Sequence, residues 1–348
     1  MTTLRPESIA PGLPELPAQP AGTPWPTVQW ARNEPAPSDP ERFRRLCDGL
    51  FDLPAGSGVT YALLIVKRGE LVYERYAAGA NAMYLQYSWS MAKSVTQALV
   101  GILLRQGRLD LYAPAPVPEW QSPGDSRRAI TLDHLLRMRS GLEFREDYVD
   151  GEGSDVIPML SFDGRHDTGA FAAAKPLLHA PGSTFSYASG TTNIICRILR
   201  DLVGGGASGM LRFMNDELFE PLGMRTPTPK FDTSGTFIGS SFLFATPQDF
   251  ARFGYLYLRD GVWDGRRILP EGWVDYARSC SYADDTQAYG AHWWLLPHNH
   301  RWFCASGYDG QRILIAPDRD LVIVRLGRTD VDHIAPVWDA VNALAEQL

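Results

Sequence analysis

The sequence predicts an α+β fold in which strands from both ends of the chain build one antiparallel sheet and the middle forms an inserted, mainly helical lobe. Three observations predict it. VTYALLIVKRGELVYERYA, residues 59–77, reads as two β-runs around the turn Lys67-Arg68-Gly69-Glu70. QRILIAPDRDLVIVRLG near the C-terminus repeats that pattern around a turn at Pro317-Asp318. Between the two pairs the apolar spacing is helical, at about 91–106, 131–139, 168–175, 190–203, 208–218 and 247–259. Strands gathered at the ends with helices between them exclude an alternating βαβ order.

Along the chain, the first 40 residues hold ten of the 26 prolines. Proline lacks the backbone N–H a helix needs, so residues 1–45 are predicted as an extended arm over the body, tacked down by Trp25 and Trp30. The sheet lobe is expected from about 46–85 and 260–348, and the helical lobe from about 86–259. A polar stretch between Gly141 and Thr168 is too long for a plain connection and reads as a binding loop or lid. Gly204-Gly205-Gly206 separates two helices, and an amphipathic helix from Val331 to Leu348 closes the chain.

Composition excludes some partners. A net charge of −7 gives no basic excess for nucleic acid or an anionic membrane. No apolar run reaches the roughly 18 residues a bilayer span needs. Cys47, Cys196, Cys280 and Cys304 are scattered, without metal-type spacing, and read as reduced thiols. His298 and His300 have only a superficial likeness to a metal pair, so neither metal nor cofactor is expected. The N-terminal residues lack the pattern of a secretory signal, and the expected location is cytoplasmic. A homodimer stays open.

The chemistry is concentrated in YSWSMAKSVTQALVGILLRQG. Its helix is apolar nearly all round and therefore buried, which leaves the polar first turn at a cleft. Residues i and i+3 are neighbours on a helix, so Ser90 and Lys93 come within hydrogen-bond reach. A serine hydroxyl is a poor nucleophile until a neighbour accepts its proton, and a desolvated lysine can do so. Lysine is scarce, at four of 33 basic residues, and arginine could not lose a proton in this way. Taken alone, the pattern also fits an N-capping serine followed by a solvated lysine.

Two further motifs follow in order, Tyr187-Ala188-Ser189-Gly190 at a helix start and Ala305-Ser306-Gly307 before a strand. Together the three resemble the serine β-lactamase and penicillin-binding-protein superfamily. SWSMAKSV, PGSTFSYASGTTN, GTFIGSSFLFATPQDFARFGYLYLRDGVW and CASGYDGQ are most similar to its class C-like branch of 6-aminohexanoate-dimer hydrolases and carboxylesterases, from about residue 60 onward. The resemblance implies a β-lactamase/transpeptidase-like fold, with Ser90 as the acylated nucleophile, Lys93 as its proton acceptor, and Tyr187 as base or as donor to the leaving group. Ser189 would bond substrate or Lys93. Gly307 would let the edge strand approach, and the N–H groups of Ser90 and Tyr308 would form the oxyanion hole. Ser306, Ala305, Tyr148, Asp150 and Trp294 complete the expected substrate-binding set.

Ala305 stands where penicillin-recognising relatives carry a cation for the substrate carboxylate. This departure implies a small ester or amide substrate rather than a β-lactam or D-alanyl peptide. Glu146, Asp147, Asp150 and Asp155 could offer a carboxylate to a substrate ammonium, or form an ordinary solvated loop. No GxSxG elbow occurs, which argues against an α/β-hydrolase. The expected function is a serine hydrolase of small amides or esters; the alternatives are a β-lactamase or D-alanyl peptidase, and a binding module that is acylated without turnover.

Overall fold

The computed structural model describes residues 4–148, 153–297 and 299–348. Nine strands form one sheet: β1 (Ala31–Arg32), β2 (Gly58–Lys67), β3 (Glu70–Tyr76), β4 (Tyr282–Ala283), β5 (Ala288–Tyr289), β6 (Trp294–Leu296), β7 (Asn299–Gly307), β8 (Gln311–Ala316) and β9 (Leu321–Thr329). Their spatial order is β1-β3-β2-β9-β8-β7-β6-β5-β4, antiparallel throughout except where β1 runs parallel to β3. The two predicted hairpins therefore meet at the sheet's centre, where Ile65 faces Ile323 across β2 and β9. Both sheet faces are covered, which is why these strands read as nearly unbroken apolar runs.

The outer face packs on two helices from opposite ends of the chain, α1 (Pro40–Phe51) and the C-terminal helix α5 (Ile334–Gln347). Helix α1 starts inside the span predicted as extended arm, because Asp39 accepts from Glu41 N and Arg42 N and Pro40 opens the first turn. The rest of the proline-rich segment lies along the body. Trp25 and Trp30 pack on Tyr255, and Arg252, Arg259 and Arg278 donate to carbonyls of Pro26, Pro17 and Pro14.

The inner face carries the helical material. Helix α2 (Ala92–Arg105) is buried from Ala92 through Leu104, as an all-round apolar helix must be. Beside it run α3 (Ser189–Val203) and α4 (Pro247–Leu258). Although α4 falls within the predicted helical lobe, it packs directly on the sheet, with Gly254 against Ile313 and Val322. Gly204 and Gly205 have positive φ values of 78° and 74°, so the glycine run supplies a left-handed break between helices. Cys47, Cys196 and Cys304 are buried, Cys280 is exposed, and none is in a disulfide. Among the described residues no helix is long and apolar enough to cross a membrane.

Candidate active site

Ser90 lies in a 3-10 turn (Trp89–Met91) that leads into α2. The α-helix proper starts only at Ala92, one residue later than the spacing predicts. The preceding residue, Trp89, has φ 44°, a left-handed conformation that costs a non-glycine residue on the order of 1 kcal/mol. Its indole is fixed by a 3.0 Å hydrogen bond from Nε1 to Asp309 and by edge contact with Tyr308. The tight turn thus holds Ser90 against the end of β7.

Lys93 follows one turn later and is 2 % exposed. Nζ donates to Ser90 Oγ at 3.0 Å, to Ser189 Oγ at 3.0 Å and to the Ser240 carbonyl at 2.9 Å. Burial pulls its pKa down to about 8, against the opposing pull of the Glu146 carboxylate. Three acceptors satisfy the ammonium's donors, so the charged form is held in place, yet a neutral amine is within reach near neutral pH. The ring of Tyr187 lies 4.8 Å from Nζ. Burial, with Tyr289 and Glu146 close by, pushes the Tyr187 phenol well above its usual range, against a hydrogen bond with Ser90. This phenol stays protonated.

Glu146 ties the site together from the long polar loop. Its carboxylate accepts from Ser189 N at 2.7 Å, from Ser189 Oγ at 2.5 Å and from Tyr148 OH at 3.2 Å. Among the four loop acids the sequence pointed to, Glu146 faces the lysine through Ser189 instead of standing free for a substrate. Asp155 is engaged by Lys175 and by Arg145 N. Asp147 is exposed. Asp150 and His298 lie outside the described residues.

Gly307 ends β7, which is paired with both β6 and β8 and so is not the edge strand expected, and it lies in close contact with the Ser90 turn: a Cβ there would stand 2.4 Å from the Ser88 carbonyl oxygen and 3.1 Å from Trp89 Cβ. Ser90, Tyr148, Tyr187, Trp294, Ser306, Gly307 and Tyr308 all line one cavity of about 740 Å³, while Lys93 and Ser189 sit buried behind it. Trp294 lies tilted at 5.2 Å from Tyr187 and edge-on at 4.7 Å from Tyr289, forming an aromatic wall. Trp293 is fully buried and packs on Tyr257. Ala305 is not brought to the cavity. Alternation along β7 turns its methyl inward with Phe303, at 1 % exposure, whereas Cys304 and Ser306 face the cavity. Ser240 and Asp309, which hold Lys93 and Trp89, lie within the family-like phrases GTFIGSSFLF and CASGYDGQ but were given no role from the sequence; only folding brings them to the site.

A serine at a strained turn, its partner lysine on a buried helix and the end of a sheet strand closing over both fit the transpeptidase-like class of folds. The chain belongs to the beta-lactamase family, whose model matches residues 43–346. Among curated relatives it is similar to the 6-aminohexanoate-dimer hydrolase of Paenarthrobacter ureafaciens, at 27% identity over 329 residues, 86% of this chain and 82% of the relative. Family and relative together place it among hydrolases. Its structure resembles that of a candidate 6-aminohexanoate-dimer hydrolase from Bacillus anthracis, with TM-score 0.75, 23% identity, and 96% and 90% of the two chains covered. It also resembles EstCE1, a hydrolase with promiscuous acyltransferase activity, with TM-score 0.64, 16% identity, and 86% and 98% covered. These two likenesses show the fold.

Proposed function

We propose that the protein is a serine hydrolase that cleaves a small amide or ester through an acyl-enzyme on Ser90. The observation that carries this reading is the Lys93 amine, buried, 3.0 Å from Ser90 Oγ and shifted to a pKa of about 8. Neutral Lys93 takes the Ser90 proton as Oγ attacks the carbonyl carbon. The N–H groups of Ser90 and Tyr308 are the proposed donors to the oxyanion, at the start of α2 and the end of β7. A protonated Tyr187 suits the donor role: it gives its proton to the leaving group and recovers one from Lys93. Water then attacks the ester of Ser90 and releases the acid.

The high phenol pKa therefore favours leaving-group donation over a phenolate base. The substrate class follows from the aromatic cavity and from the named relative: short esters, and amides of the 6-aminohexanoate-oligomer type. Turnover of p-nitrophenyl butyrate and 6-aminohexanoate dimer, with nitrocefin in parallel, tests the reading. Wild type should turn over at least one of the first two, and Ser90→Ala should lose at least a thousandfold. Equal rates for both proteins refute the mechanism. A permanent mass shift on Ser90 without turnover indicates an acylated binding module, and efficient nitrocefin hydrolysis indicates a β-lactamase.

A further inference from the structure

We propose that the wall of the cavity beyond Ser306 is a carboxylate-binding subsite built on Arg312, so that the preferred substrate carries an acid group remote from its scissile bond. The proposal rests on the hydrolase reading above and names the substrate class that this site selects.

Arg312 is the cross-strand partner of Ser306, and partners in an antiparallel pair point to the same face with Cβ atoms about 5 Å apart. Both residues line the same cavity as Ser90. Arg312 is only 5 % exposed, yet among the described residues its side chain makes no ion pair and no hydrogen bond, and its Nε is buried without a partner. Its neighbour on β9, Arg325, shows what a structural arginine looks like in this protein. Arg325 donates to Thr60, Thr329 and the carbonyls of Asp309 and Gly310. A guanidinium has five N–H donors, and leaving a buried charged donor unmet is costly. Arg312 bears that cost at the wall of a cavity, with the charge of Arg325 beside it.

Helix α5 supplies the rest of the subsite. Trp338 lies 5.0 Å under the Arg312 guanidinium, which holds the planar group in one orientation. Trp338 Nε1 and Asn342 Oδ1 also line the cavity side of this helix and are buried without partners. The two ends of an Asn amide are interchangeable by a flip, so Asn342 can present its N–H₂ instead. An arginine fork, an indole N–H and an amide N–H₂ together form a donor set for a planar acceptor, and a carboxylate is such an acceptor. Asp339 and Glu346 line the same cavity but are exposed, and neither pairs with Arg312. They disfavour a dianion such as sulfate or phosphate, which leaves a single carboxylate as the ligand. The family's carboxylate cation is missing at Ala305; this wall offers a cation from the next strand.

Two substrate pairs test the subsite, each differing only in the remote group: mono-p-nitrophenyl adipate against p-nitrophenyl hexanoate, and 6-aminohexanoate dimer against its C-terminal amide. Wild type should prefer the acid in at least one pair by tenfold or more in kcat/KM. Arg312→Gln should abolish that preference while changing the neutral member by less than twofold, Arg312→Lys should keep part of it, and Trp338→Phe should weaken it. Should Arg312→Gln fail to fold, Arg312→Lys and Trp338→Phe carry the test. Calorimetric binding of adipate, with sulfate as control, to Ser90→Ala needs no turnover and should weaken at least fivefold when Arg312→Gln is added. No Ser90-dependent turnover with Arg312-dependent adipate binding would overturn the hydrolase reading and keep the subsite. Equal loss on both members of each pair, or no loss together with unchanged adipate binding, overturns the subsite.

Discussion

Glu146 sets how much of Lys93 is neutral, and replacing it by glutamine isolates that effect. The carboxylate reaches Nζ through Ser189 Oγ, with legs of 2.5 Å and 3.0 Å, so the charges are at most about 5.5 Å apart. Coulomb's law gives about 3 kcal/mol at an effective dielectric of about 20, and under 1 kcal/mol if water screens fully. At 1.36 kcal/mol per pKa unit, removing the charge should lower the Lys93 pKa by roughly 0.5 to 2 units. The sign follows from Glu146 favouring the ammonium. The assay is kcat/KM for p-nitrophenyl butyrate, or the rate of fluorophosphonate labelling of Ser90, from pH 5.5 to 10. Wild type should rise with pH to a plateau, with its midpoint near 8, the value of the Lys93 pKa. Glu146→Gln keeps an acceptor for Ser189, and its midpoint should move down whatever happens to the plateau. A midpoint that stays in place or moves up refutes the assignment of Lys93 as the base.

Three further outcomes are expected. Ser189→Ala removes an acceptor from a buried ammonium and should cost about 1–3 kcal/mol, read as a lowered urea midpoint, together with a drop in kcat. Gly307→Ala drives a methyl to within 2.4 Å of the Ser88 carbonyl oxygen and should cut kcat/KM by at least tenfold with a lower Tm; unchanged kinetics would dissociate this contact from the site. His292 is buried between Thr192 and the Leu136 carbonyl, and burial lowers its pKa to about 3 from 6.5. The unfolded chain therefore binds the extra proton first as pH falls, so stability should drop between pH 6.5 and about 3, by up to about 1.4 kcal/mol per pH unit. Urea titrations at pH 7, 6, 5 and 4 should show a shallower slope for His292→Gln.

The sheet and the buried helix were legible because apolar period alone specifies them. Strands covered on both faces must read as continuous apolar runs, and α2 could be apolar all round only if it was enclosed. Ser90 and Lys93 were legible for a local reason, a spacing of three residues that helix geometry converts into contact. The start of α1 was hidden by proline, which opens a helix as readily as it prevents one. Direction in space was hidden as well. Ala305 was placed in the substrate set by its motif, but a one-residue alternation on β7 turns it into the core.

What the sequence by itself determined, then, is the architecture and the two groups linked by local geometry, because period and spacing are properties of neighbouring residues. The electrostatic setting of the lysine belongs to the tertiary structure. Glu146, Ser189 and Ser240 lie tens of residues or more from Lys93, and their approach depends on how the long loop and α3 pack. The unpaired Arg312 facing the cavity is a tertiary fact of the same kind. Whether an arginine is bonded or left open follows from what β9 and α5 bring to it, as the contrast with Arg325 shows.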